Sequence, residues 1–261
     1  MKINRIYAIV LRFLFLFRHS FDRLTDVFYW PTIDLFIWGL TGLYFQKFAP
    51  NASSIMMVII SGILFWLVAW RGQYEITVNL LEDLWNKNLI NIFVSPLKFS
   101  EWIISFLIIG LIKAIMSLAF ASVIAFFLYK FRILIFGFYL IPFFLLLIMM
   151  GWWIGFFVAG LILRFGTRVQ TLAWVTIAIV SPFSAIYYPL SILPGWAQVI
   201  AKFVPSSYIF EGIRQVIKTG HVSPDKLLAS FGLSCIYLAL SLLFIRNSFR
   251  KVLQKGLVKV Y

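Results

Sequence analysis

Two ionisable residues stand where a hydrocarbon environment should forbid them: Asp34, about two turns into one long apolar stretch, and Lys113, near the middle of another. Charge at such depth is costly, so it marks an ion pair, a wet cavity or a transport path. Their depths are compatible, so one reading pairs Asp34 with Lys113 across adjacent helices. The other leaves Lys113 snorkelling or facing a wet cavity. Arg71 and Glu75 form a second acid–base set, one turn apart where another apolar stretch turns polar. His221 and Asp225 are one residue short of the His-x4-Asp spacing of acyltransferases, and His19 is the only other histidine. Imidazole acid–base catalysis therefore has little to work with. No grouping of His, Cys, Asp and Glu has metal-site spacing.

The chain contains no Gly-x4-Gly-Lys-Ser/Thr phosphate loop, so hydrolysis of ATP would need a second protein. Its glycines are scattered through apolar stretches, where small residues permit close helix packing, and no Gly-rich loop resembles a channel filter.

These residues need elements to hold them. Of 261 residues, 62% are hydrophobic and only 12% charged, against about 25% charged in a soluble domain. Mean hydropathy is +0.97. The expectation is an all-α integral membrane protein, one membrane domain over residues 1–261 with no separate soluble catalytic domain. The net charge of +14 lies at the ends of apolar stretches, which fits membrane topology and not nucleic-acid binding. Cys235 is single and cannot form an internal disulfide. The basic, then apolar, N-terminus has no small-residue cleavage site and is interrupted by Arg12, so it reads as retained.

Spans of about 20 apolar residues fall at about 27–48, 55–74, 102–129, 133–163, 169–188 and 227–245. The shorter run before them, within residues 1–25, suits an interfacial helix. Six spans put both termini on one side. Of the 23 Lys and Arg residues, fifteen fall on the terminal segments, the Arg71 to Lys98 connection and the 164–168 turn, against seven opposite. The positive-inside rule makes the termini cytoplasmic, in a plasma or inner membrane. Pro182 inside the fifth span is a candidate kink.

Between spans two and three, residues 79–96 form an amphipathic segment. Leu81, Trp85, Leu89 and Ile92 recur at helical spacing with Leu84 beside them, while Glu82, Asp83, Asn86, Lys87 and Asn91 take other faces. Asp83 and Lys87 form an i,i+4 pair, and Pro96 stops the helix. The oily stripe needs a membrane surface or a protein groove to cover it. In residues 189–225, Leu193, Trp196, Val199, Ile200 and Phe203 would let a short helix dip into the outer leaflet, with Pro194 and Pro205 at its boundaries.

Glu82-Asp83-Leu84-Trp85-Asn86, then Ser95-Pro96 and a polar start to span three, resembles the coupling helix of ATP-binding-cassette type-2 exporter permeases. Pro189, Pro194, Trp196, Pro205, Glu211 and Arg214, within Tyr188–Trp196, Val204–Tyr208 and Glu211–Arg214, resemble the external re-entrant helices of the same family. The likeness covers nearly the whole chain. It departs from the polysaccharide-exporting permeases in the N-terminal Arg-His-Ser-Phe-Asp-Arg and Phe-Tyr-Trp-Pro-Thr-Ile-Asp34, which are closer to efflux-type permeases.

The resemblance implies a transport subunit, not an enzyme, working as a homodimer or with a similar permease chain among membrane lipids. A cytoplasmic ATPase subunit carrying ATP and Mg would dock on the coupling residues Leu81, Glu82, Asp83, Leu84, Trp85, Leu89 and Ile92; this chain would bind no cofactor. Arg71 and Glu75 would transmit motion, although the same pair is an ordinary helix-end contact. A drug or lipid-like substrate would leave by alternating access. The alternatives are an undecaprenyl-linked polysaccharide as cargo or, in another class, an intramembrane enzyme or channel.

Overall fold

The computed structural model describes residues 1–47 and 52–255, whose regular elements are all helical with no strand among them. The expected turn around Pro50, and Lys259 of the basic tail, lie outside the described residues. Helices α1 (Ile3–His19) and α2 (Phe21–Gln46) are separated by Ser20, extended in backbone, whose hydroxyl caps α2 by accepting from the Arg23 N–H. Then come α3 (Ala52–Trp85), the short α4 (Leu89–Val94) and α5 (Phe99–Tyr129). A 3-10 segment (Ile133–Tyr139) leads into α6 (Leu140–Phe165), followed by α7 (Leu172–Val180), α8 (Gly195–Ala201), α9 (Pro205–Thr219) and α10 (Pro224–Lys255).

Four of the described helical segments are long and apolar enough to cross a membrane: 55–85, 99–129, 133–169 and 224–254. Those expected at spans two, three, four and six are thus present. Helix α2 is as long as a span but carries Asp22, Arg23, Asp26 and Asp34. The fifth expected span is cut short, because α7 passes into a 3-10 turn, Ser181–Ser184, and Ala185 takes left-handed backbone (φ 57°). Pro182 belongs to that turn and not to a helix interior, so it does not kink a span.

The interior proline is Pro31 of α2. Lacking an N–H, it leaves the Val27 carbonyl without its usual helical donor, and the Ser117 hydroxyl of α5 donates there at 3.2 Å. Two turns on, the Tyr129 hydroxyl donates to the Leu35 carbonyl at 2.9 Å, its ring lying over Gly39. The α2–α5 contact is therefore set by polar groups as well as by packing.

Helix α3 is the axis of the bundle, with α2, α5, α6, α7 and α9 around it. At 34 residues it extends about 51 Å, well beyond a hydrocarbon core of about 30 Å. Against α6 the backbones nearly touch at Gly151 and Gly155, a Gly-x3-Gly pair: a Cβ at Gly151 would lie 2.3 Å from the Ala69 carbonyl oxygen. The N-terminal residue Lys2 bonds Glu101 at the start of α5 (2.7 Å), and Phe249 near the end of α10 packs on Phe99 and Trp102 there. Both ends thus meet at one face, here the basal face.

Gly151→Leu is expected to force α3 and α6 apart and to destabilise the protein by at least about 1–3 kcal/mol. Gly232→Ala, which meets open space inside α10, is expected to be neutral to stabilising by up to about 1 kcal/mol. Thermal melting of the detergent-purified protein separates the two.

Candidate functional site

Residues Arg71, Glu75, Asn79 and Glu82 recur every three or four positions and so share one face of α3. Lys113 of α5, 2% exposed, donates from Nζ to Glu75 Oε2 at 2.6 Å and lies 5.0 Å from the centre of the Phe17 ring. Arg71 approaches the other Glu75 oxygen at 3.7 Å, and the Asn79 amide donates to Glu75 at 3.3 Å. Arg23 of α2 continues the chain of contacts, donating to Asn79 Oδ1 at 2.8 Å and to Glu82 Oε1 at 2.7 Å. One buried network therefore ties α2, α3 and α5.

Lys113 does not pair with Asp34. Ser117 is level with Val27 and Tyr129 with Leu35, so Lys113, one turn before Ser117, is level with residue 23 or so of α2. Asp34 lies about ten residues further along, roughly 15 Å away. Its carboxylate borders instead a cavity of about 540 Å3 between α2, α3 and α7. Five of the chain's ten tryptophans line that cavity: Trp30, Trp38, Trp66, Trp70 and Trp174. Trp38 stacks on Tyr187 with ring centres 4.4 Å apart. Asp26 accepts the Tyr74 hydroxyl at the basal end, and Arg71 covers the Tyr74 ring. Arg71 Nε and Nη1 find no hydrogen-bond acceptor among the described residues, and the guanidinium borders the same cavity, so a molecule within it can satisfy them.

The amphipathic segment folds otherwise than its periodicity predicts. Helix α3 runs on through it to Trp85 and ends in a Schellman cap: Lys87 is left-handed (φ 53°), its N–H donates to the Leu84 carbonyl, and the Asn88 N–H donates to the Asp83 carbonyl. The stripe is broken at that cap. Leu81, Leu84 and Leu89 are fully buried by the rest of the chain, and Ile92 is half-buried. Trp85 is exposed, its indole N–H donating to Gln170 ahead of α7 at 3.1 Å. Among the described residues of the segment, Trp85, Asn86, Lys87, Ile90, Asn91, Val94, Ser95 and Pro96 face outward. Nor does Asp83 pair with Lys87. Arg12 of α1 takes both its oxygens, and the Asn88 amide donates to it at 3.1 Å.

At the opposite end, Pro194 precedes α8 and Pro205 opens α9, as expected of helix N-terminal positions. Pro189 caps a 3-10 turn, and Glu211 fastens it by accepting the Leu190 N–H at 2.9 Å and Arg214 at 3.0 Å. Burial pushes the Arg214 guanidinium below its ordinary pKa, with Glu211 opposing. Trp196, Val199, Ile200 and Phe203 are exposed.

Three features of the candidate site escaped sequence reasoning: Arg23, Pro31 and the Trp-lined cavity. Pro31 alone had a signal, a proline inside an apolar period followed by an unused hydroxyl on another span.

Glu75→Gln strands two buried cations and is expected to cost about 3–5 kcal/mol in thermal or denaturant unfolding, most of it recovered only when both cations are removed as well, in Arg71→Met/Glu75→Leu/Lys113→Met. Exchanging the charges at Asp34 and Lys113 gives no rescue over Lys113→Asp alone.

A protein-family model described as ABC-2 type transporter matches residues 6–218, from α1 to the last turn of α9. No curated protein matches the chain. The match spans the buried charge network and the cavity, and on it the chain belongs to the ABC-2 type transporter family, as a membrane subunit of an ABC exporter.

Proposed function

We propose that this protein moves a hydrophobic or amphipathic molecule outward by alternating access, powered by a separate ATP-binding-cassette ATPase that carries ATP and Mg2+. The observation that carries the reading is continuity: the exposed tip of α3 at Trp85 leads along one helix to the Glu75 network and then to the Trp-lined cavity. A load applied at the tip is thereby felt at the cavity. The family generally works with a cytoplasmic ATPase of this class. Trp85, Lys87, Ile90 and Val94 offer such a partner apolar area with a positive charge beside it.

In this reading α2 and the whole segment 169–188, of which α7 is the helical part, complete six crossings and the basal face is cytoplasmic, supported by the excess of Lys and Arg there. The membrane is the cell's plasma or inner membrane. Exposed Trp196, Val199, Ile200 and Phe203 support re-entry of α8 into the outer leaflet. The apolar outer face of α2, with Tyr29, Ile37 and Leu40 exposed, supports a homodimer or a similar permease chain against it, with lipid around both.

Trp85→Asp is expected to weaken association with the ATPase by about 2 kcal/mol or more, roughly 30-fold, and to abolish stimulated ATP hydrolysis in the purified complex. Leu89→Asp should instead disrupt the packing of α4 after the α3 cap, since that side chain is buried. Full copurification and stimulation by Trp85→Asp would overturn the docking surface. ATP-dependent uptake of an amphipathic panel into inverted vesicles tests transport itself.

A further inference from the structure

Most charges in the basal half of the bundle are matched. Glu75 lies between Lys113 and Arg71, Glu82 takes Arg23, and Asp83 takes Arg12. Asp26 accepts the Tyr74 hydroxyl and lies near Arg71. Asp34 is different: among the described residues its carboxylate has no ionic or hydrogen-bonding partner, and it borders a cavity walled by tryptophan. A carboxylate kept at membrane depth without a counter-charge is costly unless something brings one.

The rings say what kind of charge that is. Indole faces present negative potential and bind cations, best those whose own charge is spread and weakly hydrated. Trp30, Trp38, Trp66, Trp70 and Trp174 surround the space beside Asp34, and its 540 Å3 falls in the range of small-molecule sites. A carbohydrate would require a row of free hydrogen-bonding groups beside the rings; here Asp26 is engaged by Tyr74, which leaves Arg71 Nε and Nη1 at the basal end, their charge balanced by Glu75, as a single pair of donors and not a row. A neutral lipophile would leave Asp34 without a reason.

We infer that the cavity between α2, α3 and α7 binds an amphipathic organic cation, an ammonium or phosphonium centre bearing aromatic or alkyl groups, with Asp34 as its counter-ion and the tryptophans as its cage. That this cation is the exported cargo rests on the transport reading above; that it binds does not.

The test uses full-length protein in nanodiscs and tritiated tetraphenylphosphonium, read by scintillation proximity. Triphenylphosphine oxide, of similar bulk but without charge, serves as competitor. Saturable phosphonium binding is expected, weakened about tenfold or more by Asp34→Asn and held within about threefold by Asp34→Glu, with at least about tenfold weaker competition by the neutral oxide than by unlabelled phosphonium. Trp30→Leu, at an exposed ring, is expected to weaken binding as well, and melting curves verify that each variant folds. Equal affinity in Asp34→Asn, or equal competition by the neutral oxide, makes the cavity an unselective apolar sink and overturns the inference. Absence of phosphonium binding with saturable binding of an oligosaccharide overturns it in favour of a glycan. Phosphonium binding without any ATPase association sinks the exporter reading alone; ATPase association without phosphonium binding sinks only this one.

Discussion

The bundle is organised around one carboxylate. Glu75 is buried about two-thirds of the way along α3, and it is tolerable there because Lys113 and Arg71 bring positive charge and Asn79 an amide donor. Each of these groups would be expensive alone in a low-dielectric surrounding, and each becomes acceptable only if the others are in place. The network therefore specifies how α2 and α5 are placed around α3 more sharply than apolar packing could, since apolar side chains tolerate sliding and a 2.6 Å ion pair does not.

The same logic explains where sequence reasoning held and where it failed. Helices, and four of the expected spans, were legible because length and apolarity are properties of each segment alone. Partnership of buried charges was not, because depth estimated from a single span leaves an error of a few turns and says nothing about neighbours. Asp34 and Lys113 were placed at similar depth, yet the Ser117–Val27 and Tyr129–Leu35 contacts set α2 and α5 in a register that separates them. Arg71 and Glu75 were legible as a pair because i and i+4 are neighbours on any helix.

The amphipathic segment teaches a complementary lesson. Periodicity identified Leu81, Leu84, Leu89 and Ile92 as needing cover, which is true, but the cover comes from the chain itself. Nothing in the local sequence announced the left-handed residue at Lys87, since lysine is a poor choice there compared with glycine. That single dihedral breaks one stripe into two pieces, turns Leu89 inward and leaves Trp85 outside. The surface available to a partner is thus nearly the complement of the one the helical wheel selects.

The unbroken course of α3 has a mechanical consequence. Its ion-paired point at Glu75 lies ten residues, about 15 Å, from the tip at Trp85, and 23 residues, about 35 Å, from the far end at Ala52. A rod held at that point is a lever of unequal arms. If it tilts about Glu75 without bending, an ångström of travel at the basal tip becomes more than two at the opposite surface, so a small displacement below is geared up where the bundle meets the other side.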